Sequence, residues 1–138
     1  MSDPQTLVLL PAWNEEEALP GLLRELSGFH PLDSVLVVND GSTDRTTEVA
    51  RAAGATVLTL PINLGVGGAL RAGYRWALRN GFSQVVQLDA DGQHDPRDIA
   101  AVLEPVLRGE TDLNIGARFA GVGEYEQDGI RRLAMKFL

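Results

Sequence analysis

The stretch Thr6–Val38, "TLVLLPAWNEEEALPGLLRELSGFHPLDSVLVV", holds two short apolar runs with an amphipathic segment between them. "TLVLL" (Thr6–Leu10) and "SVLVV" (Ser34–Val38) are unbroken runs bounded by turn residues, the pattern of strands buried on both faces. Between them Leu19, Leu22, Leu23 and Leu26 recur at helical spacing, with Pro20 placed in the first turn. Strand, helix, strand is the repeating unit of a parallel sheet.

The alternation continues outward from that unit. "ATVLTL" (Ala55–Leu60), "SQVVQL" (Ser83–Leu88) and "DLNIGA" (Asp112–Ala117) read as further strands. Val49, Ala52 and Ala53 form a second helical stripe. Leu70, Tyr74 and Leu78 with Ala77 form a third, and Ile99, Val102, Leu103 and Val106 a fourth. Asp95-Pro96 reads as a helix start, Ser42 or Asp44 as a cap of the second helix, and Gly28, Gly54 and Gly81 as helix ends. The pattern predicts an α/β domain with a mainly parallel sheet and right-handed crossovers.

Composition narrows the function classes. The 138 residues include no cysteine, which removes disulfides, thiolate catalysis and cysteine-based zinc sites. A net charge of −7 argues against a nucleic-acid-binding surface. There is no run of about 18 apolar residues and no signal-like N-terminus, so the expected location is the cytoplasm. The last segment, "GIRRLAMKFL" (Gly129–Leu138), places Ile130, Leu133, Ala134, Phe137 and Leu138 on one helical face. It predicts that residues 123–138 open a basic amphipathic helix that continues past the last residue, after a domain spanning 1–122. Arg131, Arg132 and Lys136 would then contact a membrane surface, and the exposed apolar face would favour self-association into homo-oligomers.

In open parallel sheets ligands bind beyond the carboxyl ends of the strands. Four such exits carry polar, acidic or glycine-rich residues: "PAWNEEE", "NDGSTD", "PINLGVGG" and "DADGQHD". In the fourth, Asp89, Asp91 and Gln93 lie at alternate positions and can present oxygens to one side. Such a set suits Mg²⁺ or Mn²⁺, which take one or two carboxylates plus substrate phosphates. A plain Asp-Gly turn explains the same residues about equally well. A calcium loop does not, because His94 and Ala100 stand where its glycine and glutamate belong. Asp40 leaves the second strand and can accept hydrogen bonds from a ring N–H or a sugar, or simply cap a turn. Asn14 and Glu15 are candidates for base or ribose contacts, while Glu16 and Glu17 suit the positive end of a helix. "NLGVGGALRAG" fits neither a dinucleotide-binding fingerprint nor an NTPase phosphate loop. Its Gly65, Gly67 and helix start can still face a diphosphate, with Arg71 in reach of a phosphate or held in a surface ion pair. His30 has no assigned role, and no Ser-His-Asp arrangement can be assembled.

Taken together, "LVLLPAWNEEEALPGLL", "VLVVNDGSTDRT", "NLGVGGALRAGY", "VVQLDADGQHDP" and "IGARF" resemble the inverting family 2 glycosyltransferases over about residues 6–120. The likeness is to the dolichol- and polyprenyl-phosphate sugar transferase branch. It implies a GT-A fold, a nucleotide-diphosphate sugar donor and a divalent metal. On matching positions it implies that Pro11, Ala12, Asn14 and Glu15 bind the donor and that Asp40 contacts the base. Asp89 and Asp91 correspond to the D-x-D motif, Gln93 to a further metal ligand and Arg118 to a basic group near the donor phosphates or acceptor. Trp13 replaces the usual tyrosine and Val66 a common lysine. The resemblance further implies transfer to a polyprenyl phosphate at the inner face of a membrane, with the acceptor half lying beyond Leu138. A nucleotide-sugar-binding module without turnover and, more remotely, a nucleotidyltransferase are the alternatives.

Overall fold

The computed structural model describes residues 5–91, 95–116 and, for the backbone, 132–136. The strands are β1 (Thr6–Ala12), β2 (Val35–Asn39), β3 (Thr56–Thr59), β4 (Gln84–Gln87), β5 (Leu113–Gly116) and β6 (Arg132–Lys136). The helices are α1 (Leu19–Leu26), α2 (Thr46–Ala52), α3 (Val66–Arg79) and α4 (Ile99–Leu107). They form one sheet in the order β3-β2-β1-β4-β6-β5.

The first four strands are parallel, with Leu9 paired to Leu36 on one side and to Gln87 on the other. Their side chains alternate between two apolar layers, as the period-two geometry of a strand requires. Val8, Leu10, Val35, Val37 and Val86 meet α1, α2 and α4 on one face. Leu7, Leu9, Leu36, Val38 and Val85 meet α3 on the other. The chain steps outward from β1 to β3, then recrosses through α3 to reach β4 on the far side of β1. That reversal puts α3 on the opposite face from α1 and α2, as right-handed crossovers demand.

Local signals act where expected. Pro20 sits in the first turn of α1. The Asp95 side chain accepts from the Arg97 amide and starts the 3-10 turn that leads into α4. Asp44, not Ser42, takes the orphan amide of Thr46 at the start of α2, at 2.9 Å.

Three expectations are corrected. Residues Arg132–Lys136, expected to open a helix, form β6 between β4 and β5, antiparallel to both. The segment is short enough for either period to describe it. Pairing with the otherwise open edge of β4 satisfies a row of backbone groups that a helix would leave exposed. The sheet is therefore mixed, and Arg132 and Lys136 belong to it. Arg131 lies outside the described residues. In α3 Ala77 is buried and Leu70 and Tyr74 pack half-buried against the sheet as expected, but Leu78 is 52% exposed, and Ala69 and Gly73 complete the buried face. Small residues let this helix come close to the sheet. A Cβ on Gly73 would stand 2.4 Å from Leu9 Cδ1. In α2 it is Ala50, with half-buried Val49 and Ala53, that faces inward, and Ala52 is exposed.

Candidate active site

The point where strand order reverses lies between β1 and β4, and a crevice of about 290 Å³ opens at the carboxyl ends of these strands. Pro11, Ala12, Trp13 and Glu15 line it from the β1 exit, and Asp40 from the β2 exit. Asn63, Gly65, Val66 and Ala69 come from the β3 exit and α3, and Asp89, Ala90 and Asp91 from the β4 exit. All four polar strand exits thus contribute to one cavity.

The loops are held by side chain to backbone bonds across sequence-distant segments. Asn14 adopts a left-handed φ of 53°. Its amide donates to Ser42 Oγ at 2.9 Å and its Oδ1 accepts from the Thr43 amide at 2.9 Å. The Glu15 amide donates to Thr46 Oγ1 at 3.0 Å, and Thr46 in turn donates to Asp44. The Glu16 amide donates to Asp44 Oδ2 at 3.1 Å. Burial pushes the Asp44 carboxyl up. The Thr46 hydroxyl and the Glu16 and Thr46 amides outweigh that effect and hold it below the usual carboxylate range. The first two strand-exit loops are therefore fastened to each other before any ligand arrives.

The third loop is fastened to the second. Asp40, 4% exposed, accepts from the Leu64 amide at 2.7 Å. Gly41 takes a φ of 69°, and a Cβ there would stand 2.4 Å from the Asn63 nitrogen. Asn63 Oδ1 accepts from the Gly65 amide at 3.0 Å, turning the chain into α3.

The crevice is electrostatically acidic. Burial raises the Glu15 carboxyl above its ordinary value, and the charges of Asp91 and Asp44 raise it further. Carboxylates from the β1 and β4 exits therefore repel each other within one crevice, a situation that a cation relieves. Among the described residues no three acidic or histidine side chains converge tightly enough to hold a metal by themselves. Two hard carboxylates on one loop fit Mg²⁺ or Mn²⁺, whose remaining positions are commonly filled by phosphate oxygens and water.

Of the residues singled out in the sequence, Pro11, Ala12, Glu15, Asp40, Gly65, Asp89 and Asp91 line the crevice. Asn14, Gly67 and Arg71 do not. Asn14 is a brace between loops, and Arg71 lies on the exposed face of α3. Gln93 and Arg118 lie outside the described residues. Asn63 and Ala69 line the crevice without having been singled out. The Asn-Leu-Gly turn was a visible cue for the first, whereas a small apolar residue such as Ala69 carries no cue.

The model of the family described as "Glycosyl transferase family 2" matches residues 7–137. The chain is 36% identical over 137 residues to the polyprenol monophosphomannose synthase of Mycolicibacterium smegmatis, covering 95% of this chain and 51% of that protein. It is 40% identical over 119 residues to the undecaprenyl-phosphate mannosyltransferase of Micrococcus luteus, covering 83% and 48%. Among solved structures it is similar to glucosyl-3-phosphoglycerate synthase from Mycobacterium tuberculosis in complex with Mn²⁺, UDP and glucosyl-3-phosphoglycerate. That match has a TM-score of 0.65 at 32% identity, covering 78% of this chain and 42% of that one. The chain spans about half the length of the curated relatives it matches. The fold is of the GT-A type, and the chain belongs to glycosyl transferase family 2.

Proposed function

We infer that the chain forms the nucleotide-sugar-binding half of a metal-dependent inverting glycosyltransferase. The donor is a UDP- or GDP-sugar and the acceptor a polyprenyl phosphate. The observation that carries this reading is the convergence of Glu15, Asp40, Asp89 and Asp91 on one crevice at the strand-order reversal. The metal and nucleotide in the similar solved structure support the donor side, and the names of the two mannosyl-transferring relatives support the acceptor side.

In this reading Pro11, Ala12 and Glu15 flank the nucleoside and Asp40 accepts from its base. Asp89 and Asp91, with Gln93, hold Mg²⁺ or Mn²⁺. The start of α3 at Gly65 faces the diphosphate, where its unpaired amides favour negative charge. When bound, the cation offsets the charge of the departing diphosphate and orients it. Arg118 is assigned to the phosphates or the acceptor. A phosphate acceptor is already anionic at neutral pH, so no side chain has to remove a proton from it. That matches a crevice whose carboxylates are committed to the cation and the nucleoside.

The test is transfer by a chain extended through the acceptor half, with UDP- and GDP-sugars, Mn²⁺ and a short polyprenyl phosphate, read by mass spectrometry of the lipid. The expected product is one polyprenyl-phosphate sugar with release of the nucleoside diphosphate. Tight nucleotide binding without transfer to any lipid phosphate would instead identify a binding module.

A further inference from the structure

The chain's charge is segregated. Val49–Leu88 contains none of the 19 acidic residues of the chain but includes Arg51, Arg71, Arg75 and Arg79. Three of these arginines lie on α3. Spaced at i, i+4 and i+8, they fall within a sector of about 100°, opposite the buried Ala69, Gly73 and Ala77. All three are exposed, and none enters an ion pair or side-chain hydrogen bond among the described residues. In a protein of net charge −7, a helix face of unpaired arginines with no acid on the helix is a local reversal of sign.

Apolar side chains share that face. Leu78, 52% exposed, falls in the same sector as the arginines. Leu64, 53% exposed, lies against Gly68, where a Cβ would stand 2.5 Å from Leu64 Cβ. Gly68 lies in the arginine sector, so Leu64 extends the surface by one turn towards the crevice. Ile62, 62% exposed, precedes it on the same loop. Cations interleaved with exposed leucine and isoleucine suit a surface that is anionic outside and apolar beneath, which is the chemistry of an acidic lipid bilayer.

We propose that the exposed face of α3, extended by Ile62 and Leu64, is the surface on which this chain rests on an anionic membrane. Leu64 is also the residue whose amide is held by Asp40 at 2.7 Å, so membrane contact occurs next to the nucleotide crevice. A lipid phosphate would then reach the crevice without leaving the bilayer plane. The choice of a bilayer over another acidic partner rests on the lipid-phosphate acceptor proposed above. The contact surface itself rests on α3.

The experiment is cosedimentation of the chain with phosphatidylcholine vesicles, with and without phosphatidylglycerol, at low ionic strength. Partitioning is expected only with the anionic lipid. Arg75→Gln/Arg79→Gln should weaken it about 30-fold and Leu64→Ser should weaken it further. Arg24→Gln/Arg51→Gln, on the opposite face of the sheet, should leave it unchanged. Thermal melts establish that each variant is folded, and UDP binding with Mn²⁺ is measured on the same samples. Nucleotide binding without vesicle binding overturns the membrane surface alone. Vesicle binding without nucleotide binding overturns the donor reading alone. Equal loss in both arginine pairs overturns the assignment to α3. So does a dimer that Arg75→Gln/Arg79→Gln dissolves, or tighter binding to an oligonucleotide than to vesicles. Vesicle binding by the extended chain that is insensitive to the α3 pair also overturns it.

Discussion

The carboxylate of Asp40, at the exit of β2, accepts a 2.7 Å hydrogen bond from the backbone amide of Leu64, in the loop leaving β3. One buried acid therefore lines the crevice and also fixes the loop that brings Asn63, Gly65 and Val66 to its lining. The shape of the crevice and the order of that loop are coupled through it.

Replacing Asp40 by alanine leaves the Leu64 amide without its acceptor and should reduce stability by about 1–3 kcal/mol. Asp40→Asn keeps an acceptor oxygen and should recover most of that loss while still weakening nucleotide binding. Urea unfolding and nucleotide titration of both variants separate the two effects. Equal stability of the alanine variant and the parent would contradict the brace.

Gly41 is the second element of this junction. A side chain there would strain a φ of 69° and meet the Asn63 nitrogen at 2.4 Å. Gly41→Ala should reduce stability by about 2–4 kcal/mol, and UDP binding should fall with it because Asn63 and Gly65 must move. A thermal melt with little change would show that the loop relaxes freely.

Asn14 braces the first loop against the second from a left-handed backbone. Asn14→Asp keeps both the acceptor and the tolerance for that conformation. Asn14→Gly keeps the conformation alone, and Asn14→Ala keeps neither. Losses should rise in that order, reaching about 1–3 kcal/mol for alanine. Identical unfolding midpoints for the three would remove the brace from the account.

His30 is 3% exposed, with Nε2 3.2 Å from the Ser34 carbonyl. Burial lowers its pKa, against smaller raising effects from the Ser34 and Thr6 backbone and the Asp33 charge. A lowered value favours the neutral ring in the folded state. The unfolded chain then binds the extra proton first. Stability is full above about pH 6.5 and is lost as pH falls towards and through the lowered value. His30→Phe should flatten the melting temperature across that window. An unchanged slope would place the acid sensitivity elsewhere.

The first four strands were legible because each is a short apolar run with Pro, Asn or Asp at or just beyond its carboxyl end, although β1 itself carries on through Pro11 to Ala12. The crevice acids were legible for the same reason, since Asp40 and Asp89 directly follow such runs. Helical phase was less sharp in α3, where Leu70, Tyr74 and Ala77 do face the sheet but the expected stripe also took in exposed Leu78 and passed over the small Ala69 and Gly73 that make the close contact. Counting Leu78 as buried also hid the arginine face, as did the net charge of −7, which masks a local excess. β6 was misread because it inserts between β5 and β4, the latter more than forty residues away, and a nine-residue apolar pattern does not reveal pairing at a distance. The brace by Asn14 likewise depends on Thr43, which no local pattern connects to it.

The most direct test of the donor site is the melting temperature of the chain with UDP or GDP, with and without Mn²⁺, in the parent and in Asp91→Asn. A ligand present at about 100 times its dissociation constant stabilises the folded state by roughly 2.7 kcal/mol, a shift of several degrees. That shift is expected only when nucleotide and metal are present together, and it should be lost in Asp91→Asn. Equal stabilisation by nucleotide without metal, retained in Asp91→Asn, would contradict the donor site.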